Sequence, residues 1–118
     1  GPDIPACIEE AIDALVSVYA DVDRAAPQGQ AQFRLPRGPL DRVLLQALDD
    51  VLFTLDTSPA VPVTAVVQPT SGGYELAVQL ASRDSIVATG AVPKAISRSG
   101  LELEQTPATT RCCFLIDV

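Results

Sequence analysis

Residues 39–55 read PLDRVLLQALDDVLFTL, and the rest of the chain can be read outward from them. Leu40, Val43, Leu44, Ala47, Leu48, Val51, Leu52 and Leu55 fall at alternating spacings of three and one, which lays a double apolar row along one side of a helix. Pro39 suits the first helical position, and the helix is expected to stop before Ser58-Pro59, since a residue preceding proline leaves helical space. The opposite side carries Gln46, Asp49, Asp50 and Phe53. That side is either the solvated face of a surface helix or the floor of a binding site.

An apolar row this wide needs a second layer to cover it, and the flanks supply one. Upstream, Ile8, Ile12, Leu15, Tyr19 and Val22 fall at spacings of 4, 3, 4 and 3, which predicts a helix. Asp3 can cap its start, Pro5 sits in its first turn, and Glu9 and Glu10 suit the positive end of the helix dipole. The helix is expected to end near Arg24, where AAPQGQ has loop chemistry. Residues 32–35 predict a short strand with Phe33 and Leu35 facing inward. Downstream, Val61, Val63, Ala65 and Val67 alternate with other residues, as do Tyr74, Leu76, Val78 and Leu80. The PTSGG loop between the two runs makes them a hairpin. A short helix over Ala91–Ser99, capped by Gly100, and a second hairpin formed by GLELEQ and RCCFLIDV complete the reading. The order implies an α+β fold, a two-layer α/β sandwich with helices on one face of a mixed, mostly antiparallel sheet. Gly1-Pro2 resembles a protease-cleavage scar, so residues 3–118 read as a single domain excised from a larger protein.

Composition limits the chemistry. The 118 residues hold two tyrosines, three phenylalanines and no tryptophan, so a core must come from Val, Leu, Ile and Ala. The net charge of −7 disfavours binding nucleic acid through its phosphates. No apolar run reaches the ~18–20 residues of a membrane helix, no signal peptide is visible, and a cytoplasmic protein without direct membrane contact is expected. There is no histidine, so neither a Ser-His nor a Cys-His pair exists within the chain. The three cysteines have no zinc-site spacing and read as reduced thiols; Cys112 and Cys113, adjacent in a strand, point to opposite faces. Arg34 and Arg37 flank the Pro36 turn, and Glu102 and Glu104 share one face of a strand. Both pairs read most simply as surface charge.

This element order resembles the ATP-binding domain of bacterial sensor histidine kinases, the Bergerat-like fold shared with gyrase and the Hsp90 chaperone. The stretch DIPACIEEAIDALVSVYADVDRAAPQGQAQFRLP is similar to that family's first helix and strand. LDRVLLQALDDVLFTL is similar to its asparagine-box helix, VPVTAVVQPTSGGYELAVQL to its central hairpin, and GLELEQTPATTRCCFLIDV to its last one. The resemblance puts Gln46 and Asp50 at the two asparagine positions, Leu80 where an aspartate would bind adenine, and Ser82 at the first glycine. Asp84 could replace the aspartate in a shifted register. Asp50 keeps an oxygen that could suit magnesium, but Leu80 cannot accept the adenine hydrogen bond, and the lid with its second glycine motif is missing.

The resemblance therefore implies a pseudo-ATPase lacking the full lid, with ATP and magnesium binding lost, no catalytic residue and no metal site. Its degenerate pocket would be lined by Gln46, Asp50, Phe53, Leu80, Ser82 and Asp84. The implied role is regulatory: a domain of two-component phosphorelay signalling that docks on a response-regulator receiver domain or on the helical dimerisation hairpin of its own parent chain, itself monomeric. The alternatives are a small-ligand sensor using the vacated pocket, a divergent ATP-binding kinase domain, or an unrelated α+β domain with the same element order.

Overall fold

A computed structural model describes residues 3–21, 25–88, 90, 93, 95–105 and 110–117, the last two stretches by backbone course alone. Helix α1 runs over Ile4–Tyr19. Asp3 caps it as expected, its Oδ1 accepting from the Ala6 amide at 2.8 Å, with Pro5 in the first turn. The helix stops before the expected Arg24. Ala20 is already extended, and Ala20–Asp21 form a short strand, β1, paired with β5 (Val87–Ala88). Here a tertiary pairing overrides local helical preference. Val22 and Arg24 lie outside the described residues.

Strand β2 covers Pro27–Pro36, longer than the expected 32–35. The glycine in PQGQ marks a bulge rather than a loop: the register of β2 against β4 shifts between Pro27 and Gly29, and Gly29 has φ 128°. Helix α2 spans Leu40–Thr57, with Pro39 as its N-cap instead of its first residue. Its last turn closes where Ser58 donates to the Thr54 carbonyl at 2.9 Å, ahead of Pro59. The central hairpin forms as read, from β3 (Val61–Thr70) and β4 (Gly73–Ala81) joined by Ser71-Gly72.

The helix expected over Ala91–Ser99 is not formed. Residues 95–99 belong to β6 (Ala95–Gln105), which pairs antiparallel with β7 (Thr110–Asp117), Ile96 opposite Ile116 and Ser97 opposite Leu115. Ser, Ile and Gly are weak helix formers, and an apolar strand was available as partner. Gly100 falls where the β6–β7 register shifts, not at a helix end. Residues 91, 92 and 94 of that expected helix lie outside the described set, and the side chains of Cys112, Cys113, Glu102 and Glu104 are likewise not described.

The α+β class stands. The described strands pair in three separate antiparallel ladders, ordered β2-β4-β3, β1-β5 and β6-β7, rather than in one mixed sheet. This pairing gives the Bergerat-like arrangement no support. Both helices cover the inner face of the three-stranded sheet. Ile8, Ile12 and Leu15 of α1 and Leu44, Leu48 and Val51 of α2 are fully buried against Leu35, Leu76 and Val78. Among the described residues no helix is long and apolar enough to cross a membrane.

Two polar contacts tie α1 to β3. Glu9, in place of serving the helix dipole, accepts a hydrogen bond on Oε2 from the Val67 amide at 2.8 Å. The Tyr19 hydroxyl donates to the Pro62 carbonyl at 2.7 Å, beside the register shift of β3 between Pro62 and Thr64. Burial pushes the Tyr19 hydroxyl well above the ordinary phenol range. Replacing Tyr19 with Phe leaves that carbonyl without its donor and is expected to cost about 1–2 kcal/mol in urea unfolding. Gly73 has φ 147°, and a Cβ there would meet the Leu35 carbonyl oxygen and the Arg37 amide. Gly73→Ala is expected to cost about 2 kcal/mol or more, read as a lower urea midpoint with the m-value unchanged.

Candidate functional site

The exposed side of α2 follows from its helical period: Asp41, Arg42, Gln46, Phe53, Asp56 and Thr57 fall off the apolar row and meet solvent, while Leu45 and Thr54 widen the buried side. Gln46 and Asp50 lie one turn apart, and Gln46 Nε2 donates to Asp50 Oδ1 at 2.8 Å. Asp50 is half-buried, and burial holds its carboxyl above the usual carboxylate range. Asp49 pushes in the same direction, while the Gln46 hydrogen bond opposes it. Phe53, one turn further on, is 62% exposed and contributes nothing to the core. Asp56 extends the acidic side toward the end of the helix.

The other expected pocket residues lie elsewhere. Leu80 sits in β4 opposite Gly29 and Pro62 and packs, partly buried, against the core. Ser82 and Asp84 belong to a single 3₁₀ turn around Arg83–Ser85, in which Ser82 donates its amide to the Ala26 carbonyl and accepts from Ser85. The structure thus gathers Gln46, Asp50 and Phe53 on α2, and Ser82 and Asp84 in one turn. A cavity of about 240 Å³ at the start of α2 is lined by Gln46 together with Leu35, Arg37, Pro39 and Arg42, and by none of Asp50, Phe53, Leu80, Ser82 or Asp84.

Two features escaped the sequence reading. The outer face of the three-stranded sheet is uncovered by either helix and carries Gln32, Arg34, Val66, Gln68, Glu75 and Ala77. Hollows of about 470 Å³ beside Arg34 and Glu75, and of about 280 Å³ beside Val66 and Ala77, open on it. Thr64 and Gln68, alternating with Val63, Ala65 and Val67, are the sequence signal for this face. Arg37 is absorbed by the hairpin turn, its Nη2 donating to the Ser71 carbonyl at 3.1 Å. Among the described residues no group of three His, Cys, Asp or Glu side chains could hold a metal, and Cys7 is a buried free thiol.

The raised Asp50 carboxyl has a sign that can be checked. Because the folded state holds this proton more tightly than the unfolded chain, ionising Asp50 opposes folding above its raised range, and acidification relieves the penalty. Asp50→Asn, which can still accept from Gln46, is expected to raise the thermal midpoint at neutral pH. The gain should shrink as the pH falls through the carboxylate range, followed by thermal unfolding over a pH series.

A model of the archease protein family matches this chain over residues 1–118. "Probable protein archease" of Mycobacterium tuberculosis is 30% identical over 112 residues, which cover 95% of this chain and 63% of the relative, and the same figures hold for strains CDC 1551 and H37Rv. The chain therefore spans less than two thirds of the length of the curated relatives it matches. These matches overturn the resemblance to sensor histidine kinases. That resemblance rested on element order and apolar pattern, which many unrelated α+β domains share, while the kinase motifs themselves were missing. With it go the phosphorelay function, the receiver domain and the dimerisation hairpin as partners, and the sensor and divergent-kinase alternatives. A match along the whole chain, joined by relatives of the same name, makes this protein a member of the archease family.

Proposed function

We propose that the protein is a non-catalytic accessory of an RNA ligase in tRNA processing, raising the output of the ligase through protein contact. The family match over residues 1–118 carries this reading. The chemistry of the chain agrees with it. A chain with no histidine lacks the commonest general base, and a net charge of −7 disfavours binding through phosphates. In this reading the chain touches the ligase rather than the RNA, works in the cytoplasm, and carries no ATP or magnesium of its own.

The outer side of α2 is the contact surface this reading favours. An exposed phenylalanine within a turn of Asp49, Asp50 and Asp56 fits an apolar pocket rimmed by Lys and Arg on a protein partner. The test is multiple-turnover joining of cleaved tRNA by the host's RNA ligase, with and without the protein. The protein alone should join nothing, and its addition should raise ligase turnover. Phe53→Asp should weaken the stimulation by about tenfold, the equivalent of ~1.4 kcal/mol of contact, without lowering the thermal midpoint. No stimulation, together with no co-sedimentation with the ligase, would overturn the reading.

A further inference from the structure

The three-stranded sheet has two edges, and they are finished differently. At β3, alternate residues turn their backbone groups away from β4. The Val67 amide is one of these groups, and it is taken by the Glu9 carboxylate. Pro69, two residues on, has no amide to offer. The β3 edge is thus closed by a side chain and a proline.

At β2 the same parity leaves the edge open. Arg37 donates its amide to the Gly72 carbonyl, so the pairs bonded to β4 continue as Leu35–Tyr74, Phe33–Leu76 and Ala31–Val78. The backbone groups of Gln30, Gln32 and Arg34 therefore point outward. No described strand pairs with this edge. Pro36, in the same outward parity, has no amide, and Pro27 lies at the bulge. The open stretch is therefore limited to Gln30, Gln32 and Arg34, which holds no proline, carboxylate or lysine and whose one charge is Arg34.

The strand also matches itself. An antiparallel copy centred on Gln32 sets Gln32 opposite Gln32 and Gln30 opposite Arg34, each a pair that can exchange both backbone hydrogen bonds. On the inner face the same register sets Ala31 opposite Phe33. Both are only partly buried and pack against the edge of the core, so the pairing would complete that apolar row. A self-complementary patch is what a two-fold interface requires. In a chain of net charge −7, this strand brings no negative charge of its own to the contact.

We propose that the β2 edge pairs antiparallel with the β2 edge of a second copy, centred on Gln32, fusing two three-stranded sheets into one. The pairing does not depend on the ligase reading. The test is sedimentation velocity of the full chain over a rising concentration series. The wild type should pass from monomer to dimer. Gln32→Pro removes an outward amide that β4 does not use, and should weaken the dimer on the order of tenfold or more. Should that variant not fold, Gln32→Lys and Gln32→Glu decide: each alone places like charges across the two-fold axis and should stay monomeric, while an equimolar mixture should recover dimers. A wild type that remains monomeric at the highest concentration, a dimer that survives Gln32→Pro, or a lysine–glutamate mixture that does not associate would each overturn the pairing.

Discussion

The rest of the molecule depends on how α1 lies along β3. Two hydrogen bonds fix that placement, from the Val67 amide to Glu9 and from the Tyr19 hydroxyl to the Pro62 carbonyl. Glu9 and Tyr19 are ten residues apart on a helix, about 15 Å at its rise, and Val67 and Pro62 are five apart on a strand, about 16 Å. The two spans match, and they run in opposite senses, so the helix is clamped antiparallel to the strand at both ends. Between the clamps Ile12 and Leu15 are fully buried in the core. Apolar packing alone would let a helix slide along an aliphatic sheet, because Val, Ile, Leu and Ala surfaces fit in more than one register. The polar contacts select one. With few aromatic residues in the chain, and Phe53 outside the core, this selection carries more weight than usual.

How far the sequence could be read follows from which forces were local. The two helices and the central hairpin announced themselves through period and punctuation: the rows of α1 and α2, Asp3 and Pro5 at one start, Ser58-Pro59 at one end, SGG between alternating strands. What failed was set by partners distant in sequence. Ala20–Asp21 are extended because Val87–Ala88 lie beside them, and residues 95–99 are a strand because an apolar strand follows at 110–117. Gly29 read as a loop residue because a bulge and a loop use the same residue type.

The site was less legible than the fold. Gln46 and Asp50, four apart, do meet, and they bond to each other, as any such pair on a helix face can. Leu80 enters a pocket only through the family resemblance; its place in the alternation with Leu76 and Val78 turns it toward the core. The family resemblance erred for a related reason. The order of helices and strands reflects packing rules common to many domains, whereas membership is written in side chains scattered along the whole length.

The unequal finishing of the two sheet edges also bears on solubility at high concentration. A sheet that is open on both sides can add copies without end. Here the carboxylate of Glu9 and the ring of Pro69 seal one side, so growth through this sheet meets a terminus after a single addition. One helix carboxylate thereby sets both the position of α1 and the size that an assembly built on this sheet can reach.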